Sequence, residues 1–140
     1  MLRIGSGFDV HRFTSKAQDN ASIILAGIKI PHAFSLEAHS DGDVLSHALC
    51  DALLGALALG DIGQHFPDTD SQYKNINSLS LLQQSYQLLK QRNWSLVNSD
   101  VTIIAEKPKM SPYHLQMRQS LADTLELSVE QFSIKATTSE

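Results

Sequence analysis

The first eleven residues largely alternate between apolar and polar or small side chains, as β-strands do. In an extended chain the even-numbered residues 4–10 lie on one face and the odd-numbered residues 3–11 on the other. This alternation predicts a first strand over residues 2–11. A second strand is predicted over residues 22–30, which are rich in isoleucine and are followed by Pro31.

A helical repeat of apolar positions begins after residue 43. The preceding Ser-Asp-Gly-Asp sequence has the form of a capping box, which predicts a helix that starts near Asp43, runs to Leu59 and ends at Gly60. Apolar residues cover most of the circumference of this helix, which is typical of a helix that is buried on several sides. In so short a chain, packing against other subunits would explain that burial.

The remaining pattern predicts two more helices and two more strands after a long loop. The loop spans residues 61–77, and loops of this length are usually functional or disordered. Helices are predicted over residues 78–92 and 113–125, and strands over residues 95–105 and 131–138. The order β-β-α-α-β-α-β predicts an α+β domain with its helices against one sheet.

The composition narrows the class of protein. The chain has 140 residues, of which 42% are hydrophobic and 19% charged, and this predicts one globular domain rather than a disordered chain or a coiled coil. Its net charge of −4 is unlike the basic face of most nucleic-acid-binding modules. The single cysteine cannot form an internal disulfide, and neither a signal peptide nor a bilayer-spanning segment is recognisable. We therefore expect a soluble cytoplasmic protein with no nucleic-acid or membrane partner.

Charge is distributed unevenly along the chain. Residues 30–73 contain seven acidic residues and four histidines but no lysine or arginine. In a compact fold these acids would repel one another, and a bound cation would relieve the repulsion. A solvated acidic surface explains the charge equally well, so the spacing of particular residues has to decide between the two.

Three residues have the spacing of a metal site. Asp9 and His11 are two residues apart on a predicted strand and share a face, and His47 lies one turn into the predicted helix. One carboxylate and two imidazoles suit Zn²⁺ with a fourth position open, as in catalytic zinc sites. The alternative is three ordinary core or surface residues. Asp43 and Asp51, four residues on either side of His47, would orient its imidazole or else face solvent.

Three other segments carry groups that could bind a polar ligand. The loop residues 61–63 and 66–70 supply carboxylates that could accept hydrogen bonds from sugar hydroxyls, although turns favour the same residues. Residues 107–109 place two lysines before a helix start, which makes a modest anion site or an ordinary surface loop. Residues 136–140 end the chain with hydroxyls and a carboxylate that could bind phosphate and Mg²⁺, or form a frayed polar terminus.

Seven segments in order along the chain resemble the 2-C-methyl-D-erythritol 2,4-cyclodiphosphate synthases of the non-mevalonate isoprenoid pathway. Any one of these segments would be weak evidence for the family, but all seven in order along the chain are highly specific for it. They are residues 4–11, residues 38–44 with His47, and residues 51–56, 60–63, 66–70, 108–110 and 135–138.

The resemblance implies a fold and an assembly. It implies a chorismate-mutase-like domain over residues 1–140, with a mixed four-stranded sheet and helices on one face. It also implies a homotrimer whose sheets pack about the threefold axis and whose active sites lie between neighbouring subunits. Members of that family continue past the position of Glu140 into another strand, so the domain is expected to lack its C-terminal strand.

The resemblance also implies roles for particular residues. Asp9, His11 and His47 match zinc ligands, and Glu140 matches the ligand of a second divalent cation, Mg²⁺ or Mn²⁺, at the diphosphate. His39 and Thr138 match transition-state stabilisers. The implied substrate contacts are Asp9, Val10, His11, His39, Ser40, Asp61, Ile62, Gly63, Phe66, Pro67, Asp68, Thr69, Asp70, Ala105, Glu106, Lys107, Pro108, Lys109, Met110, Ser111, Ala136, Thr137, Thr138, Ser139 and Glu140.

The implied reaction is a metal-dependent cyclisation. The CDP-linked substrate, 4-diphosphocytidyl-2-C-methyl-D-erythritol 2-phosphate, would attack its own β-phosphorus through its 2-phosphate and release CMP, which makes the enzyme a phosphorus–oxygen lyase. Two rival functions use the same residues. One is a zinc-dependent phosphoesterase with an activated water, and the other is a non-catalytic, metal-stabilised trimer that binds isoprenoid diphosphates.

Overall fold

In the computed structural model of the chain, which describes residues 1–139, four short strands accompany four α-helices. The long loop predicted over residues 61–77 contains a short helix and a single 3₁₀ turn, Ser71–Tyr73. The helix predicted from Asp43 to Leu59, and the helices and strands predicted after residue 77, are present with shorter bounds. The elements are β1 Ser22–Leu25, β2 Ile28–Pro31, α1 Val44–Ala56, α2 Ile62–His65, α3 Ser78–Lys90, β3 Ser99–Ile104, α4 His114–Leu125 and β4 Phe132–Thr137.

The segment predicted as one strand over residues 22–30 is a hairpin. β1 pairs antiparallel with β2, and Leu25 lies opposite Ile28. The two residues between them, Ala26 and Gly27, have φ angles of 52° and 73°. Positive φ at both central residues is the geometry of a tight hairpin turn, and it reverses the chain where the apolar pattern alone predicted continuation.

The second sheet is a parallel pair, in which β3 runs beside β4 with Ser99 opposite Phe132. On β4, Phe132 and Ile134 are buried in the core, whereas Ser133 and Lys135 are exposed. α4 packs on β4, so the helical layer covers one face of this pair.

The predicted four-stranded sheet is not present within residues 1–139, where β1–β2 and β3–β4 form two separate two-stranded sheets. The first strand predicted over residues 2–11 is not assigned as a strand either. A groove of about 930 Å³ is lined by residues 1–7, by α1 and by residues 93–102. An extended segment becomes a strand only through hydrogen bonds to a neighbour, and the groove leaves residues 1–7 without one.

The N-terminal segment nevertheless presents its two faces as the alternation predicts. Leu2, Ile4, Phe8 and Val10 are between 71% and 86% exposed. The odd-numbered face meets α1, and it includes the two glycines at positions 5 and 7. The segment therefore lies across α1 with its apolar face exposed to solvent.

α1 begins at a buried aspartate rather than at a serine capping box. Asp43 is 0% exposed and caps the helix by accepting hydrogen bonds from the Ser46 backbone N–H at 3.0 Å and the Ser46 hydroxyl at 2.8 Å. Its carboxylate also accepts from the backbone N–H groups of Ala26 at 2.9 Å and Gly27 at 2.8 Å. Burial raises the pKa of Asp43, and the four donated hydrogen bonds oppose that rise. Asp43 thus attaches the hairpin turn to the start of α1.

The core lies between the helices and the inner faces of the two sheets. α1 packs along α3, and α3 packs against α4. Leu53, Leu82 and Leu121 are among the core side chains and are no more than 3% exposed. Within residues 1–139, none of the helices has the length and apolarity needed to cross a lipid bilayer.

Candidate metal centre and its surroundings

Asp9, His11 and His47 converge in the folded chain. One ligand atom from each lies within 4.8 Å of the others. An Asp9 carboxylate oxygen lies 3.1 Å from His47 Nδ1 and 3.4 Å from His11 Nε2. The carboxylate and histidine chemistry predicted for these positions is therefore concentrated at one point, where the N-terminal segment crosses the first turn of α1.

Two glycines bring the N-terminal segment this close to α1. A Cβ placed on Gly7 would lie 1.7 Å from the carbonyl oxygen of Ala48, and one placed on Gly5 would lie 1.7 Å from that of Ala52. Only a residue without a side chain can occupy such positions. Gly7 is two residues before Asp9, and Ala48 directly follows His47, so this contact brings the two candidate ligands close together.

Each histidine uses one ring nitrogen for support and turns the other toward Asp9. His11 Nδ1 lies 2.8 Å from the carbonyl oxygen of Glu37, which can only accept, so His11 donates there, and in the neutral imidazole the lone pair is on Nε2. His47 Nε2 lies 2.7 Å from the hydroxyl of Ser78, the first residue of α3. A metal ligand whose second nitrogen is supported in this way is a common arrangement.

The charges of Asp9 and of the two histidines are opposite in sign and stabilise each other. Burial favours a higher pKa for Asp9, but the hydrogen bond from His47 and the charges of His11 and His47 outweigh it, so the pKa of Asp9 is lowered. Burial favours a lower pKa for His47. The hydrogen bond to Asp9 and the negative charges of Asp9, Asp43 and Asp41 outweigh this effect, so the pKa of His47 is raised. The site thus stabilises positive charge beside Asp9. Two imidazoles and a carboxylate suit a divalent cation, which would replace the proton between His47 and Asp9.

The two aspartates expected to orient His47 have other partners. Asp43 binds the hairpin turn and Ser46, and Asp51 accepts a hydrogen bond from the Ile62 backbone N–H at 2.9 Å. The contact to His47 comes from Ser78 instead. Ser78 is 31 residues away in sequence, and no local pattern marks it as part of the site.

The loop predicted to contact substrate is attached beside this cluster. Asp51 lies one turn after His47 on α1, and its hydrogen bond to Ile62 holds the start of α2. Asp61 caps α2 by accepting from the Gln64 backbone N–H at 3.0 Å, and Phe66 meets Tyr73 edge-on with 5.4 Å between ring centroids. Asp61, Gly63, Asp68 and Thr69 are exposed, while Ile62, Phe66, Pro67 and Asp70 are half-buried.

His39 and Ser40 lie between two groups that support the histidines. The Glu37 carbonyl accepts from His11, and Asp41 accepts a hydrogen bond from the Ser78 hydroxyl. The side chains of His39 and Ser40 themselves are exposed. They are thus available to a ligand at the edge of the cluster of Asp9, His11 and His47, and Val10 is exposed beside Asp9.

The other candidate segments meet at the far end of the parallel sheet. Ile104 lies opposite Thr137, and the Ala105 backbone N–H donates to the Thr137 carbonyl at 3.0 Å. Residues 105–111 and 136–139 therefore leave the sheet side by side. Met110, which is also predicted to lie in a binding wall, is buried in the core at 4% exposure. The exposed candidates here are Glu106, Lys107, Lys109, Ser111, Ala136, Thr137, Thr138 and Ser139, and Ala105 and Pro108 are half-buried.

The two groups of candidate residues are not connected within one chain. In the part of the chain that the structure describes, no hydrogen bond or ion pair joins Asp9, His11 or His47 to residues 105–111 or 136–139. Glu140, predicted to hold a second cation, lies outside the described residues.

A sequence model of the YgbB family matches residues 2–140. The chain belongs to the YgbB family. The match spans all the candidate segments and includes the N-terminal glycines, the metal cluster and the end of β4.

Relatives of this YgbB-family chain have a common name. A 2-C-methyl-D-erythritol 2,4-cyclodiphosphate synthase from Acinetobacter baylyi is 58% identical over 139 residues, which are 99% of this chain and 83% of that protein. A solved structure of a 2C-methyl-D-erythritol-2,4-cyclodiphosphate synthase in a CDP-bound form matches with a TM-score of 0.89 at 35% identity, over 98% of this chain and 89% of that one. The structure of the bifunctional IspDF from Campylobacter jejuni matches with a TM-score of 0.89 at 44% identity; the match covers 99% of this chain but only 36% of that longer chain.

These matches confirm the resemblance read from the sequence segments. They also confirm a small α+β domain as the fold class of this YgbB-family member. Because the alignments extend over almost the whole chain, both groups of candidate residues lie inside the matched fold.

Proposed function

We propose that this chain is a phosphorus–oxygen lyase that converts 4-diphosphocytidyl-2-C-methyl-D-erythritol 2-phosphate to 2-C-methyl-D-erythritol 2,4-cyclodiphosphate and CMP. The observation that carries the proposal is membership of the YgbB family over residues 2–140, with a relative of that name 58% identical. The Asp9, His11 and His47 cluster supports it, because a cation held there would supply the concentrated positive charge that a reaction between phosphates needs.

The reaction needs no nucleophile from the protein. An oxygen of the substrate's 2-phosphate forms a bond to the β-phosphorus, and the bond from that phosphorus to the oxygen bridging to the α-phosphate breaks. The electron pair leaves with that oxygen as part of CMP. The chain's own residues therefore have to position the two phosphates and balance their charge, which is how proteins accelerate phosphoryl transfer.

Specific residues would carry these tasks. Asp9, His11 and His47 would hold Zn²⁺, which when bound supplies a Lewis acid for a phosphate oxygen. The exposed His39 and Ser40 would contact the 2-phosphate, with His39 stabilising the transition state.

The remaining contacts divide between two regions. Residues 61–63 would accept hydrogen bonds from the ribose, and residues 66–70 would border the methylerythritol. At the end of the parallel sheet, residues 105–111 would line the cytosine and diphosphate, and Val10 and residues 136–139 would contact the phosphates and their surroundings. Thr138 would be the second transition-state stabiliser, and Glu140 would hold Mg²⁺ or Mn²⁺ at the diphosphate.

Turnover in water labelled with ¹⁸O distinguishes the cyclase from the rival phosphoesterase. In the cyclisation every oxygen of the products comes from the substrate, so we expect unlabelled CMP and an unlabelled cyclic diphosphate. Mass spectrometry measures the label, and a ³¹P spectrum shows whether two phosphorus nuclei share one product. A zinc-dependent hydrolase would put ¹⁸O into a linear phosphate, and that result would contradict the proposal. No turnover, with isoprenoid diphosphates bound instead, would favour the non-catalytic trimer.

We further propose that residues 1–140 form one synthase domain that assembles as a homotrimer with active sites between neighbouring subunits. The exposed apolar residues Leu2, Ile4, Phe8 and Val10 support an interface along the N-terminal segment. The separation of the metal cluster from residues 105–111 and 136–139 supports a shared site, because a neighbouring copy could bring the two together.

Mixing two inactive variants tests the shared site. Asp9→Asn damages the metal cluster, and Thr138→Val removes a hydroxyl from the other region. If neighbouring subunits share sites, mixed trimers contain some intact sites, and we expect about a quarter of wild-type activity after dissociation and random reassembly. Each variant mixed with itself is the control. Light scattering should give three times the chain mass, and a mixture as inactive as its components would contradict a shared site.

We place the enzyme in the cytoplasm. Its one cysteine, Cys50, is free and buried, and burial raises the pKa of the thiol to about 12. Such a thiol stays protonated and fits a reducing compartment.

A further inference from the structure

We infer that Ser78 and Asp41 are positioning residues that turn the Nδ1 lone pair of His47 toward the metal. The inference rests on the proposed function, since it assumes that His47 is a metal ligand. It concerns two side chains that lie behind the cluster and contact neither Asp9 nor His11.

The direction of the hydrogen bonds determines the tautomer of His47. The Ser78 hydroxyl has one proton and contacts both Asp41 Oδ1 and His47 Nε2, the second at 2.7 Å. A carboxylate can only accept, so the serine proton points to Asp41. The Ser78 oxygen must then accept from His47, which places the imidazole proton on Nε2. In the neutral imidazole Nδ1 is left with its lone pair, and this is the nitrogen 3.1 Å from Asp9.

The support is rigid because it is part of two helix starts. Asp41 accepts from the Ser78 backbone N–H at 2.8 Å through one oxygen and from the Asp43 backbone N–H at 3.2 Å through the other. Ser78 begins α3, and Asp43 caps α1, which carries His47. The imidazole is therefore held between the two helices that it joins.

Water cannot easily replace this contact. Ser78 is 0% exposed and His47 is 8% exposed. Without the hydroxyl, His47 Nε2 would lose its acceptor in a buried position, so the ring would be free to turn or to place its proton on Nδ1. Either change removes the lone pair from the metal position.

Zinc affinity of a Ser78→Ala variant tests the inference. Ser85→Ala is the matched control, because Ser85 is also a fully buried serine on α3, and its hydroxyl donates to the Leu81 carbonyl at 2.8 Å. In competition with a chromophoric chelator we expect Ser78→Ala to bind Zn²⁺ about 10–100-fold more weakly than wild type, and Ser85→Ala to bind like wild type. Ser78→Thr keeps the hydroxyl and should restore most of the affinity.

The Co²⁺ absorption spectrum separates positioning from general support of the fold. Co²⁺ in the site reports ligand geometry, so we expect a changed d–d spectrum in Ser78→Ala and an unchanged one in Ser85→Ala, with both variants folded by circular dichroism. Wild-type affinity and spectrum in Ser78→Ala would overturn the inference and leave the proposed function intact. A wild-type chain that binds neither Zn²⁺ nor Co²⁺ would overturn the metal proposal and the inference together.

Discussion

An Asp9→Asn variant is expected to lose its divalent cation and almost all of its turnover. Asn has nearly the shape of Asp, but it removes the charge that lies 3.1 Å from His47 and 3.4 Å from His11. Without that charge the two imidazoles alone must attract the cation. Lewis-acid stabilisation contributes several kcal/mol to reactions of this kind, so the expected loss of turnover is about 10²–10⁴-fold.

Two measurements check this result in addition to the rate. Elemental analysis should find zinc in the wild-type chain and little in Asp9→Asn. At a free Zn²⁺ concentration 100 times the Kd, the free energy of unfolding of the wild type should rise by about 2.7 kcal/mol, and that of the variant should rise much less. Asp123→Asn is the matched control, because Asp123 is exposed on α4 and, among residues 1–139, its carboxylate accepts a hydrogen bond from Gln119 alone. Unchanged zinc content and turnover in Asp9→Asn would contradict the metal centre.

A Gly7→Ala variant is expected to disrupt both the fold and the metal centre. Its new Cβ would lie 1.7 Å from the Ala48 carbonyl oxygen, which belongs to the backbone of α1 and cannot turn aside. The N-terminal segment would have to move away by more than an ångström. We expect the free energy of unfolding to fall by about 1–3 kcal/mol, as for other overpacked sites. Asp9, two residues later, would move with the segment, and a misplacement of about 1 Å can cost about 10²-fold in rate.

Gly55→Ala distinguishes close approach from a general effect of replacing glycine. Gly55 lies near the end of α1, and the nearest atom to its added Cβ is the Ser6 carbonyl oxygen at 3.8 Å, an ordinary contact distance. Alanine favours a helix over glycine by about 0.5–1 kcal/mol, so this variant should be as stable as wild type or slightly more stable. Urea unfolding and zinc competition measure both variants. Equal stability and zinc affinity in Gly7→Ala and wild type would show that the segment does not depend on this contact.

Local patterns were sufficient for most of the helices and for the parallel strands. α3 begins at the predicted residue, Ser78, and α4 ends at the predicted residue, Leu125. β4 lies within its predicted range and buries alternate residues. These features depend on residues a few positions apart, whose periodicity is visible in the sequence.

The errors arose where a contact between distant segments decides the structure. The backbone N–H groups of the hairpin turn at Ala26 and Gly27 donate two hydrogen bonds to the buried carboxylate of Asp43, and no pattern in the isoleucine-rich run indicates this turn. Residues 2–11 have the alternation of a strand, but pairing depends on a neighbour across the groove beside β3.

The sequence by itself determined the fold class, the family and the candidate metal ligands, because these follow from local periodicity and from short motifs in order. It also placed Asp9 and His11 on one face, since two residues apart in an extended chain share a face. Only the tertiary structure decided that this face meets His47, through Gly7 against α1, and that Ser78 rather than Asp43 or Asp51 supports the imidazole. The physical reason is that side-chain direction repeats along an element, whereas the approach of two elements depends on packing across the whole core.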